Sequence, residues 1–152
     1  MTIRISEEDF DLGVEVQLLR QSRPDAGAVV AFVGTVRDVS GGAAVTGMAL
    51  EHYPGMTEKS IQAIVDQARN RWAIIDATVV HRVGVLPLQA QIVLVAVATA
   101  HRGEAFAACE FIMDYLKMEA PFWKKEQTPD GARWVDARST DASALDKWAL
   151  PA

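Results

Sequence analysis

Hydrophobic positions along the chain follow three kinds of pattern: helical spacing, short continuous runs and alternation. Leu12, Val16 and Leu19 recur at helical spacing after Asp11, which predicts a capped helix to about Gln21 with those three side chains inward. "AVVAFVGTV" (Ala28 to Val36) is apolar and β-branched and reads as a buried strand. "VSGGAA" reads as a mobile loop, and "VTGMALEHY" alternates as a strand from Val45 to Tyr53. After the "PGM" turn, Thr57 is placed to cap a helix with Ile61, Ile64, Val65, Ala68 and Trp72 on one face. "ATVVHRVGVL" and "QIVLVAVATA" predict two strands joined through "PLQA" into a hairpin. A further helix runs from about Gly103 to Met118, with Phe106, Cys109, Met113 and Leu116 inward. Pro121 ends it by disfavouring helix at Ala120. "PFWKKEQT" and "ARWVDA" flank "PDG" as a second hairpin, and the tail from Ser139 has room for one helical turn or two. The order α-β-β-α-β-β-α-β-β, with hairpins alternating with helices, predicts an α+β fold with a mainly antiparallel sheet.

Composition narrows the function classes. A chain of 152 residues, half of them apolar, suggests one domain with a sizeable core. The net charge of −5 argues against binding nucleic acid in bulk, which needs a basic face. Cys109 is the one cysteine, so neither an internal disulfide nor an all-cysteine metal site can form, and its place on the inner helix face reads as core. "MTIRISEEDF" lacks the apolar stretch of a signal peptide. The longest apolar run, Ile92 to Ala100, is about half of a membrane span. These features predict a soluble cytoplasmic protein without a membrane segment.

The candidate chemistry is cationic. Lys117 stands at the edge of an apolar helix stripe, one turn before Pro121. There it can snorkel and favour the helix C-terminus, or it can serve an anion pocket. Lys124 and Lys125 point to opposite faces of one strand, Lys124 with Phe122 and Glu126, Lys125 with Trp123 and Gln127. Periodicity does not choose which faces a pocket. His101 and Arg102 precede a helix, where unpaired N–H groups favour anions. Arg37 closes a buried strand ahead of a glycine loop, a position suited to holding phosphate. His81, within "HRVG", reads as structural. No nucleotide-binding glycine motif, HExxH or CxxC is present, and the three histidines lack metal-ligand spacing.

Several segments together resemble one family, the large, catalytic subunit of molybdopterin synthase. They are "GAVVAFVGTVRD", "LEHYPGMTEK", "ARNRW", "HRVG", "AHRGEAF", "FIMDYLK", "APFWKKE" and "RWVDAR", in the family's order and covering most of Gly27 to Arg138. The resemblance implies a hammerhead-type α+β fold with a small additional β-subdomain. It also implies a single large-subunit domain over residues 1–152, with 139–152 as a tail. It implies a sulfurtransferase that moves sulfur from the C-terminal Gly-Gly thiocarboxylate of a small ubiquitin-like subunit to cyclic pyranopterin monophosphate. The product is the dithiolene of molybdopterin, and no metal or cofactor takes part. The assembly implied is a homodimer within a heterotetramer. Lys117 and Lys124 match the catalytic lysines. Phe32, Arg37, Met113 and Arg138 match residues lining the site, and His101 and Arg102 match a pair reaching it from the other large subunit. A non-catalytic module that captures a ubiquitin-like tail or an anionic metabolite is the competing reading. It would need cations but not two lysines converging on one atom.

Overall fold

The computed structural model describes residues 1–40, 42–135 and 139–149. The elements are β1 (Thr2–Ser6), α1 (Leu12–Arg20), β2 (Ala28–Thr35), β3 (Val39–Ser40), β4 (Ala43–Ala44), β5 (Gly47–His52) and α2 (Met56–Arg71), followed by β6 (Ile74–Arg82), β7 (Gly84–Pro87), β8 (Gln91–Thr99), α3 (Arg102–Glu119), β9 (Phe122–Thr128), β10 (Gly131–Val135) and α4 (Ser139–Ala144), with a closing 3-10 turn, Leu145–Trp148. One sheet has the order β1-β6-β8-β2, a second β10-β9-β5-β7, and β3 and β4 form a short separate hairpin. Every pairing is antiparallel except β1 with β6. The architecture is α+β.

The continuous apolar run of β8 is explained by burial on both faces. Val93, Val95 and Val97 face α2 and α3, in a core with Ile61, Ile64, Val65, Ala68, Phe111 and Ile112. Leu94 and Ala96 face the other way, towards Phe10 and Leu19. The second sheet has its own core of Met48, Leu50, Leu86 and Val36. It is the small β-subdomain.

Several sequence expectations are corrected. The strand expected across "ATVVHRVGVL" is two strands: β6 stays in the first sheet, while β7 pairs with β5 in the second. Gly84, at φ +88, makes the crossing between sheets, a conformation that side chains with a Cβ rarely adopt. The predicted hairpin partner of β8 is therefore β6, with β7 as a detour. The short charged segment at the N-terminus forms β1, and the expected loop "VSGGAA" carries the β3–β4 pair.

Two inward assignments also change. Phe106 is 60% exposed; the buried line of α3 runs through Ala105, Ala108, Cys109, Ile112, Met113 and Leu116, leaving Phe106 on its flank. Leu12 is likewise exposed at the start of α1, where Glu15 and Leu19 are the buried positions. Glu15 tolerates burial through its ion pair with Arg4. Asp11 caps α1 as expected, accepting from the Val14 N–H at 3.0 Å. Thr57 does not cap α2, because the helix starts at Met56, with Gly55 at the cap position two residues before Thr57.

The tail packs against the body. Trp148 meets Trp72 and Phe111 edge-on and donates from its indole nitrogen to Asp114 at 2.6 Å.

Candidate active site

A cleft of about 560 Å³ opens where the two sheets and the C-terminal end of α3 meet. Its walls come from β2 (Phe32, Gly34), the strand end at Arg37, β5 (Met48, Leu50), β6 (His81), α3 (Met113, Leu116, Lys117), β9 (Phe122, Lys124, Glu126) and Val135. Asp141 of α4 also lines it.

Two local features set the lysines. α3 ends at Glu119 and Ala120 turns extended, φ −76 and ψ 127, so Lys117 occupies the last helical turn and Lys124 the strand that follows Pro121. The reversal is braced from outside. The Thr57 hydroxyl, fully buried, donates to the Pro121 carbonyl at 2.9 Å and accepts from the Tyr53 N–H at 2.9 Å. The start of α2 is thereby fastened to the turn between the two lysines.

Strand alternation then separates the lysine pair. Lys124 shares its face with Phe122 and Glu126 and lines the cleft, with Leu50 and Val135 as its cross-strand neighbours. Lys125 lies on the other face, with its ammonium 5.3 Å from the centre of the Trp134 ring. Glu126 is buried and accepts from the Ser40 hydroxyl at 2.8 Å, while the Arg133 guanidinium donates to the Ser40 carbonyl. The β3–β4 hairpin is tied to the cleft wall by these bonds.

The predicted residues divide into three groups. Phe32, Arg37, Met113, Lys117 and Lys124 come together in the cleft. Among the described residues neither Lys117 nor Arg37 makes an ion pair. His101 and Arg102 lie elsewhere, at a separate hollow with Gly27, Ala28, Ala100 and Gly103. Arg102 and Lys117 are fifteen positions apart on one helix, roughly 22 Å at 1.5 Å per residue. Arg138 lies outside the described residues.

Sequence alone assigns His81 no ligand, whereas the structure puts it in the cleft wall. Its ring stacks on Phe122, centroids 3.8 Å apart and planes 19° from parallel. Its pKa is pushed down to about 4, first by burial and then by the charges of Lys117 and His52, against the raising effect of its bond to the Arg82 carbonyl. Alternation carried a signal for it: Ala77, Val79 and His81 share one face of β6, and the first two face the main core. Cys109 is core, as expected. Burial pushes its thiol up to about 11, and the group donates weakly to the Val95 carbonyl.

Fold and cleft together define a class: an α+β protein with a cation-lined cleft of mixed polar and apolar walls between a helix end and two sheets. The family follows from comparison with known proteins. The model of the MoaE protein family matches residues 5–119. A molybdopterin synthase catalytic subunit from Ralstonia nicotianae is 66% identical over 149 residues, covering 98% of this chain and 85% of the relative. Among solved structures, a molybdopterin biosynthesis MoaE protein from Burkholderia ambifaria superposes with TM-score 0.84 at 58% identity, over 99% of this chain and 100% of the other. Molybdopterin synthase from Staphylococcus aureus superposes with TM-score 0.80 at 32% identity, over 87% and 95% of the two chains. The chain belongs to the MoaE protein family. Among the described residues no helix is long and apolar enough to cross a membrane.

Proposed function

We propose that this chain is the catalytic, sulfur-transferring subunit of a molybdopterin synthase. The observation that carries the reading is the cleft in which Lys117, at a helix end, and Lys124, on the strand after Pro121, line one space with Arg37. The donor is the C-terminal Gly-Gly thiocarboxylate of a small ubiquitin-like partner. The acceptor is cyclic pyranopterin monophosphate, which becomes the dithiolene of molybdopterin.

Donor, acceptor and product are all anionic. Ammonium groups preset in the cleft stabilise that charge without reorganising during the reaction. Lys117 and Lys124 bind the thiocarboxylate and hold it against the pterin; the sulfur bonds to an acceptor carbon, its bond to the partner's terminal carbonyl carbon breaks, and water takes its place there to leave a carboxylate. Arg37 and Arg138 serve the anionic substrate, and Phe32 and Met113 keep the space dry and narrow. A double-glycine tail suits such a channel because it brings no side chain to clash.

His101 and Arg102 act in the second copy of a homodimer, where they take the phosphate end of the substrate. The distance along α3 supports this, since no single cleft accommodates both helix ends. With a partner on each large subunit the assembly is a heterotetramer working in the cytoplasm. The whole chain, 1–152, acts as one catalytic-subunit domain, supported by the packing of Trp148 on Trp72 and Phe111.

The test is reconstitution: the purified chain, a thiocarboxylated partner and cyclic pyranopterin monophosphate, with dithiolene formation as the readout. Product should appear in proportion to the chain added. Absence of product with a fully thiocarboxylated partner bound to the chain would overturn the proposal.

A further inference from the structure

The cleft is rich in hydrogen-bond donors. Lys117, Lys124 and Arg37 donate and cannot accept. The carboxylates that line it are already engaged: Glu126 accepts from Ser40, and Asp141 has a partner of its own. A fused heterocycle such as a pterin presents ring N–H and amino donors as well as acceptors, and those donors need acceptors beside the cations.

His81 supplies one such acceptor. Its Nδ1–H donates to the Arg82 carbonyl at 2.8 Å, which fixes the proton of the neutral ring on Nδ1 and leaves Nε2 as a bare acceptor. Among the described residues Nε2 has no protein partner, yet it is not sealed in the interior, where Arg82 Nε is the one side-chain polar atom left unpartnered. It keeps access to solvent, on a residue that lines the cleft. The stack on Phe122 and the Arg82 bond hold the ring from two sides, so the acceptor is in place before a ligand arrives. Burial and the neighbouring charges of Lys117 and His52 keep the ring neutral at physiological pH.

We propose that His81 is a specificity-determining residue whose Nε2 accepts a hydrogen bond from an N–H donor of the pterin ring, separating recognition of the heterocycle from recognition of its phosphate. This rests on the pterin-handling reading above.

His81→Phe keeps a ring to stack on Phe122 and removes the acceptor. His81→Gln places an amide oxygen near the position of Nε2. Affinity for cyclic pyranopterin monophosphate and for inorganic phosphate would be measured on each variant and on the wild type, bound to its partner subunit. Phe should weaken the pterin about tenfold and leave phosphate within twofold, and Gln should restore part of the loss. Pterin affinity within twofold in the Phe variant overturns the proposal. So does an equal loss for pterin and phosphate, which would make His81 a support for the cations.

A wild-type measurement is independent of how the variants fold. In 15N-histidine-labelled protein the Nε2 resonance should move upfield when the pterin binds and stay in place with phosphate alone. An unmoved resonance also overturns the proposal. A wild-type complex that binds pterin through His81 but forms no dithiolene would overturn the sulfur-transfer reading instead, so the two failures are distinguishable.

Discussion

Lys124 and Lys125 are adjacent in sequence and on opposite faces of β9, so they offer a sharp internal control. Lys124→Ala should lower turnover at least about 100-fold, as loss of preset charge at a reacting group does. Lys125→Ala should remain within about threefold, since its ammonium sits over Trp134 outside the cleft. Steady-state assay of both variants checks the ranking, and a reversed order would reject the role given to Lys124. Lys117→Ala should match Lys124→Ala in loss of turnover, with its melting temperature near wild type. At the same scale, His81 links stability to pH. Its pKa is about 4 in the fold against 6.5 for the free side chain, so the unfolded chain binds the extra proton between those values. The stabilisation is complete above about pH 6.5 and is lost as pH falls towards 4, with a slope of up to about 1.4 kcal/mol per pH unit. Chemical denaturation of wild type and His81→Phe from pH 4 to 7 measures this. The variant should show a flatter profile in that window, and parallel profiles would contradict it.

Elements place these residues by where they end. α3 stops before Pro121, and the reversal sets a helix end and a strand on two walls of the cleft. Thr57 braces the reversal from α2 with one hydroxyl that both accepts and donates. Thr57→Val keeps the shape and loses both bonds, leaving the Pro121 carbonyl and the Tyr53 N–H without that partner. It should cost about 1–2 kcal/mol of stability and lower kcat more than it raises KM, because the lysines lose their mutual geometry while binding groups remain. Thr57→Ser should keep both bonds and most of the activity. Unfolding curves and steady-state kinetics on the two variants test this. Equal kinetics for Val and Ser would detach the brace from catalysis. The same bonds account for a misread signal: a threonine near a helix start looks like a cap in sequence, and here its hydroxyl is used on a distant proline carbonyl.

For the whole molecule the decisive quantity is the length of α3. Arg102 and Lys117 lie at opposite ends of one rigid helix, so a site that uses both must combine two chains. An Arg102→Ala chain mixed with a Lys117→Ala chain should recover activity. A mixed dimer holds one cleft with both residues intact, whereas each mutant homodimer has none. Statistical re-pairing should restore up to about a quarter of the wild-type rate if the sites act independently, since half the dimers are mixed and each has one complete site. Turnover after dissociating and re-forming the dimers is the measurement. No recovery would put the pair and the lysine in the same chain's site.

Much of this was legible in the sequence because it depends on local stereochemistry. The periodicities of α2 and α3, the burial of β8, the stop at Pro121 and the hairpin of β9 and β10 follow from side-chain spacing and backbone preference. So did the pairing of Lys124 with Phe122 and Glu126 on one face. What sequence left open was which face meets the cleft, because alternation gives two faces and not their surroundings. Contacts between distant segments decided that, by setting β2 and the end of α3 around the cleft that Lys124 lines. Tertiary structure alone also divided the expected strand at Gly84 between two sheets and turned Phe106 outward. It brought His81 to the cleft, 36 positions from Lys117 in sequence, where burial and a neighbouring ammonium change its charge. Residue types and spacing define what each segment can form; only the packed chain determines which side chains share one dielectric and one cavity.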